Sequence, residues 1–321
     1  MCGDWLILCM NIRRDEKTIG VLLMAYGSPD SLDDMAAYLS DIRGGRPMSP
    51  EFVAEFRSRY AQIGGKSPLN ERTFEQAGHV EAVLKKRGRD VKAYTGMRHW
   101  KPRIVEAVAK MQGDGVEKAV GIVMAPHYSR MSIGLYQQKV EDALKEVGSD
   151  IDFVYVNSWC DQPRLIEAQA AKVRAGLEKF PEDARRKAKV VFSAHSLPAR
   201  LLKMGDPYDY ELKRNAQAVV DQLGPVDWMF SYQSAAHTGE PWLGPQIEDV
   251  IPALASGNYR DVLVAPIGFV CDHVEVLYDI DIGCQEIARQ HGIRLERTEM
   301  MNSDPVFIEA VADAVEEVIR R

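Results

Sequence analysis

Six side chains that titrate or bind metal ions crowd one stretch of ten residues: Asp272, His273, Glu275, Tyr278, Asp279 and Asp281, within APIGFVCDHVEVLYDID (265–281). The stretch begins as an apolar strand and continues with helical character. Asp272, followed three residues later by Glu275, has the form of a helix N-cap with its capping-box partner. That accounts for two of the six. Glu275 and Asp279 stand four apart and share a helix face, with Glu286 close to it. Like charges at that spacing repel, so the stripe calls for a divalent cation. A second candidate is His195, which ends the strand KVVFSAHS (189–196). An imidazole there serves either as a base at the sheet edge or as a ligand of a loop backbone. Ser193 and Ser196 flank it, but adjacent residues rarely aim at each other and the chain contains no G-x-S-x-G elbow. His99 and His127 also follow strands and read as structural. The segment GGKS (64–67) resembles part of a phosphate loop, but Tyr60 stands where the first glycine of that loop belongs.

These residues need strands that end at a common edge. Strand-like runs lie at 19–27, 91–96, 119–126, 151–159, 189–196, 226–233 and 261–270, with helical patterns between them, as at 102–112, 162–180 and 307–321. This alternation predicts parallel sheets covered by helices on both faces. Near-continuous apolar runs fit strands buried on both sides. A short internal echo divides the chain. VLLMAYGSP (21–29) parallels VVFSAHSLP (190–198), and IVMAPHYS (122–129) parallels LVAPIGFV (263–270). Two α/β halves follow, with strand C-termini lining a cleft between them. The division expected is an extension over residues 1–17, a first half over 18–165, and a second half over 166–321 whose last helix packs back on the first. Two glycine-containing loops, 41–50 and 63–70, frame a predicted helix over 51–62 and form a lip after the first strand. Their Arg43, Arg46, Lys66 and Ser67 are candidates for binding carboxylates.

Composition sets bounds. The 321 residues are 46% apolar and 27% charged, enough for a large core, and the net charge of −7 comes with no basic run of the kind a nucleic-acid binder carries. The five cysteines, Cys2, Cys9, Cys160, Cys271 and Cys284, form no C-x-x-C pair, which argues against zinc ribbons and a disulfide framework and for a reducing, cytoplasmic compartment. The opening run MCGDWLILCM is too short to span a bilayer and lacks a basic leader region.

Taken together, FSAHSLP (192–198), YQSAAHTGEPWLGP (232–245) and PIGFVCDHVEVLYDID (266–281), supported by RYAQIGGKSPL (59–69) and APHYS (125–129), resemble the ferrochelatases from residue 19 to the C-terminus. That resemblance implies two Rossmann-like (chelatase-type) halves around a porphyrin cleft. It implies that His195 and Glu275 face each other at the macrocycle as catalytic and metal-handling residues, with Asp279 as a further metal or proton group. A π-type widening of the last helix would align position 283 with them, but Gly283 stands where relatives often carry an acid. The MAYGSP segment (24–29) resembles the monoderm-bacterial form, which implies Tyr26 on the opposite porphyrin face and coproporphyrin III, with four propionates, as substrate. Arg43, Arg46, Ser67 and Tyr136 are then substrate contacts. Relatives often carry two consecutive arginines where this chain has Arg43-Gly44. Fe²⁺ is a substrate, no other cofactor is required, and no iron–sulfur cluster is expected. The implied partners are the porphyrin and, transiently, coproporphyrinogen oxidase and coproheme decarboxylase, with a monomeric, cytoplasmic enzyme and no nucleic acid or membrane span. Three other readings stay open: a protoporphyrin IX ferrochelatase, a cobalt chelatase, and a non-catalytic porphyrin or haem carrier.

Overall fold

A computed structural model describes residues 18–236 and 238–320. The extension expected over residues 1–17 lies outside them. Strands β1 (Ile19–Ala25), β2 (Val91–Met97), β3 (Lys118–Val123) and β4 (Asp152–Val156) form one parallel sheet in the order β2-β1-β3-β4. Strands β5 (Lys189–His195), β6 (Asp227–Gln233), β7 (Asp261–Ala265) and β8 (Arg294–Arg297) form a second in the order β6-β5-β7-β8. The two orders are the same permutation. The sequence echoes therefore join equivalent strands, β1 with β5 and β3 with β7. Each sheet has helices on both faces, the architecture of two Rossmann-like halves.

Period-two alternation explains why the central strands are apolar throughout. In β1, Val21 and Leu23 pack with residues of the helices Leu69–Lys86 and Pro305–Ile319, while Leu22 and Met24 pack with the helices Ile104–Gly113 and Ile133–Val147. All four are fully buried. β5 repeats the pattern. Val191 faces the helices Ile247–Ser256 and Gln285–Gln290, and Val190 and Phe192 face Pro163–Glu178 and Tyr208–Leu223.

Two strand expectations need correction. The runs 19–27, 119–126, 151–159 and 261–270 stop early, at Ala25, Val123, Val156 and Ala265. Pro126 and Pro266 lie just beyond two of these ends, and proline has no N–H for the ladder. The eighth strand, Arg294–Arg297, was missed because its sequence, RLER, is three-quarters charged. It is an edge strand held by parallel pairing with β7, from Asp261↔Arg294 to Val264↔Arg297, and edges tolerate charge.

The C-terminal helix Pro305–Ile319 starts from Asp304, whose carboxylate accepts from the Val306 and Phe307 N–H groups. Its apolar face joins Val80 and Leu84 of the first sheet's layer and Leu165 and Ala168 of the second's. Arg87 and Arg89 bind its Glu316, and Arg87 also pairs with Asp313. Among the described residues, no helix is long and apolar enough to cross a membrane.

Candidate active site

His195 is the last residue of β5 and Glu275 follows β7, so both lie at the C-terminal edge of the second sheet. His195 Nε2 stands 3.6 Å from Glu275 Oε1, and both side chains remain one-third exposed. His195 Nδ1 is hydrogen-bonded to the Ser196 carbonyl oxygen. A carbonyl can only accept, so Nδ1 carries a hydrogen and Nε2 is the nitrogen left facing Glu275 and the open space.

Two devices fix this pair. Gly268 donates its N–H to the Ser193 carbonyl at 3.1 Å. A Cβ at Gly268 would lie 2.4 Å from the Ala194 Cβ, so only glycine lets the loop after β7 approach β5 this closely. Buried Gln233, at the end of β6, accepts from Ser193 Oγ at 2.8 Å and donates to the Glu275 carbonyl at 2.8 Å. It couples the strand of His195 to the backbone of Glu275. Nothing in the sequence pattern distinguished Gln233 from any other strand-end polar residue.

His273 completes the group. Its Nδ1 donates to the Cys271 carbonyl at 3.0 Å, and its Nε2 lies 3.8 Å from Glu275 Oε2. One carboxylate thus stands between two imidazoles. Burial alone would raise the Glu275 pKa, but the charge of His195, then the hydrogen bond and charge of His273, outweigh it and hold the carboxyl below its ordinary value. The bracketing role of His273 was missed because sequence spacing alone cannot show which way its ring turns.

The helical segment after β7 differs from the expected capping box. His273, not Asp272, occupies the N-cap position of the helix Val274–Leu277. Asp272 accepts instead from Asn302 at 2.7 Å and lies 3.4 Å from Arg297. Residues Asp279–Cys284 then form a π-helical segment, in which the Gly283 N–H reaches back five residues to the Tyr278 carbonyl at 2.9 Å. The acidic stripe ends sooner than its spacing implied. Asp281 is held bidentately by Arg297 at 2.6 and 2.8 Å, and Glu286 by Arg289 at the surface. Asp279 does stay on the Glu275 side. Burial first, then Glu275, pushes its carboxyl up to about 6, against a hydrogen bond from Ser234 Oγ and the charge of Arg59. Ser234 adopts a left-handed φ of 60°. Glu248, from the helix Ile247–Ser256, adds to the rise. Among the described residues, no group of three or more His, Cys, Asp or Glu side chains is arranged to hold a metal ion.

Tyr26 forms the facing wall. It follows β1 at a turn clamped on three sides. Tyr38 Oη donates to the Gly27 carbonyl at 3.0 Å, Asn70 bonds both the N–H and the carbonyl of Ser28, and Tyr60 Oη lies 3.1 Å from Ser28 Oγ. Gly27 has φ +85° and a Cβ there would meet the Trp100 and Met97 side chains below 3 Å. The Tyr26 ring packs against His99, centroids 4.5 Å apart, and His99 Nδ1 is bonded to Asp41 at 2.9 Å. His99 is therefore structural, as is His127, which is bonded to Asn215 at 3.1 Å and buried. Tyr26 is 39% exposed, yet surrounding protein desolvates it, as on the wall of a concave cleft. Burial, opposed by Arg98 and reinforced by Glu275, pushes its hydroxyl up to about 12. The Glu275 field also acts on Tyr60 and Tyr136 of the first half. Val274 packs on the cluster of Ala25, Tyr60 and Trp100, and the Arg59 guanidinium lies 5.4 Å from the Tyr278 ring centroid. The two walls belong to one cleft.

The lip is the helix Pro50–Gln62 and its flanking loops, with Ser49 Oγ accepting from the Phe52 N–H at 3.3 Å. Arg43 and Arg46 are exposed and make no side-chain hydrogen bond or ion pair among the described residues. Lys66 is paired with Glu71. Ser67 is buried and its Oγ lies 3.4 Å from the Leu69 N–H. Tyr136 is buried, with the Arg98 guanidinium 5.4 Å from its ring centroid. Gly44, Gly45, Gly64 and Gly65 have positive φ with open space around them. They follow the helices Met35–Ile42 and Pro50–Gln62, where a positive φ favours glycine.

Two parallel-sheet halves, with a histidine–carboxylate pair at one sheet's edge and a tyrosine across the cleft, define a chelatase-type protein. Solved chelatases share the fold. The sirohydrochlorin chelatase SirB from Bacillus subtilis subspecies spizizenii, in complex with cobalt, has a TM-score of 0.55 at 12% identity, covering 95% of this chain and 96% of that one. The sequence profile of the Ferrochelatase family matches residues 18–319. The ferrochelatase of Deinococcus radiodurans is 45% identical over 309 residues, spanning 96% of this chain and 98% of its own length. The coproporphyrin III ferrochelatase of Geobacillus kaustophilus is 41% identical over 303 residues, spanning 94% and 96%. The chain belongs to the ferrochelatase family, enzymes of haem biosynthesis that insert iron into a porphyrin.

Proposed function

We propose that the protein is a coproporphyrin III ferrochelatase, which inserts Fe²⁺ into coproporphyrin III to give coproheme and releases two protons. The observation that carries the reading is the His195–Glu275 pair, 3.6 Å apart, with the Glu275 charge reaching the Tyr26 hydroxyl of the first half. Metalation replaces two pyrrole N–H protons with one metal ion, so a base must stand at the ring centre. His195 presents Nε2 for this, its Nδ1 being tied to a backbone carbonyl. Once protonated, that nitrogen meets the Glu275 carboxylate, which is kept ionised. Glu275 in turn stands against His273, giving a second position for the proton. Asp279, with its carboxyl near 6, takes up and releases protons near neutral pH and would lead them, or the incoming iron, along the π-helical segment. Tyr26 bounds the other face of the ring. Apolar and aromatic cleft walls would favour a buckled macrocycle, whose nitrogen lone pairs point out of plane.

The choice of coproporphyrin rests on the lip. Arg43 and Arg46 are uncommitted cations beside the cleft mouth, and each guanidinium fits one propionate bidentately. Ser67 and Tyr136 line the same side in this reading. The named coproporphyrin III ferrochelatases of Geobacillus kaustophilus and Bacillus subtilis, at 41% and 37% identity, support it. The enzyme would act in the cytoplasm as a monomer, without a further cofactor, in transient contact with coproporphyrinogen oxidase and coproheme decarboxylase.

The test is anaerobic metalation, with Fe²⁺ offered alongside coproporphyrin III or protoporphyrin IX and followed by absorption. Preference for coproporphyrin, abolished in His195→Ala, is the expected result. Preference for protoporphyrin would overturn the reading of the lip. Tight binding of both without metalation would make the protein a carrier.

A further inference from the structure

One cation beside Tyr26 makes no ion pair among the described residues. Arg98 follows β2 and is half-buried, and its backbone N–H bonds the Ala25 carbonyl at 2.9 Å, beside Tyr26. Its guanidinium carbon lies 5.9 Å from the centroid of the Tyr26 ring and 5.4 Å from that of Tyr136. Its Nε is buried without a hydrogen-bond partner, and its side chain makes no ion pair among the described residues. Asp41, another carboxylate whose charge reaches Tyr26, is already shared between His99 at 2.9 Å and Arg103 at 2.8 Å. A half-buried guanidinium with unspent donors is costly unless an acceptor arrives. The two rings flank it as cation–π partners, and a carboxylate with two oxygens matches its free donors.

We propose that Arg98 binds a peripheral carboxylate of the porphyrin from within the cleft, beyond the contacts offered by the lip arginines. This deepens the porphyrin reading above and rests on it. The carboxylate would complete the donor set of Arg98 and fix the rotation of the macrocycle relative to Tyr26 and His195. Arg98 is thereby a specificity-determining residue for acidic porphyrins.

The test is metal-free fluorescence titration of the full chain with coproporphyrin III and with its tetramethyl ester in mild detergent. It compares wild type, Arg98→Met, which keeps the stem over the rings, and Arg98→Lys, which keeps the charge. The expected result is that Arg98→Met weakens binding of the acid about tenfold or more and of the ester less than about twofold, and flattens the salt dependence, while Arg98→Lys recovers part of the loss. Unchanged binding of the acid by Arg98→Met, or equal weakening of acid and ester, would overturn the proposal and leave the porphyrin reading standing. A wild type that binds neither compound overturns both.

Discussion

Glu275 stands between His195 Nε2 at 3.6 Å and His273 Nε2 at 3.8 Å, each imidazole being anchored at its other nitrogen by a backbone carbonyl. A proton on either ring meets the same carboxylate. Removing the base should therefore stop the chemistry without emptying the cleft. His195→Ala and Glu275→Gln are each expected to lower the rate of metalation by about 100-fold or more, the usual scale of positioned acid–base catalysis. Porphyrin binding, read by fluorescence quenching, should persist. Loss of binding with unaltered turnover of the bound fraction would remove both residues from the reaction.

The second imidazole carries a pH signature. Glu275 has a depressed pKa, so its ionised form is present above that value and is lost as pH falls through it. His273→Ala takes away one of the interactions that depress it, and the pKa should rise. The acidic limb of the metalation-rate profile is then expected to move to higher pH, with the basic limb less affected. An acidic limb that stays in place, followed down through the ordinary carboxylate range near about pH 4, would show that His273 only packs.

Tyr26 should behave in the opposite way. With its hydroxyl near 12, the phenol is neutral over the working range. Tyr26→Phe should leave the shape of the rate profile between about pH 6 and 9 unchanged. Affinity for the metalated product is where it should differ, read by its absorption spectrum and dissociation rate. Loss in the variant of an inflection that the wild type shows in that range would mean that the tyrosine titrates during turnover.

Two glycines separate close approach from simple absence of a side chain. A Cβ at Gly268 would collide with Ala194, next to His195, whereas one at Gly283 meets nothing nearer than the Tyr278 carbonyl oxygen at 3.6 Å. Gly268→Ala should destabilise by about 1–3 kcal/mol and lower activity by shifting β5. Gly283→Ala should be neutral or stabilise by up to about 1 kcal/mol, as glycine removal from a helix does. Denaturant midpoints of the two variants check this, and the reverse order would contradict the geometry.

The order of strands and helices was legible in the amino-acid sequence because burial on both faces leaves long apolar runs, as in VLLM of β1, and because prolines and glycines mark where those runs stop. The internal echo between 21–29 and 190–198 pointed to two similar halves, while their repeated strand order came only with the structure. His195 and Glu275 stood out as candidates near strand ends, but their pairing was implied by the resemblance to the ferrochelatases and not by spacing. Other features were decided only in three dimensions. RLER becomes a strand only because β7 offers it an edge. Asp281 leaves the acidic stripe because a π turn rotates it toward Arg297. Gln233, His273 and Arg98 owe their roles to neighbours distant in the chain or to the direction a ring faces. Local spacing encodes which face of an element a side chain lies on. Which charges find a partner, and which are left for a ligand, depends on how the finished elements pack.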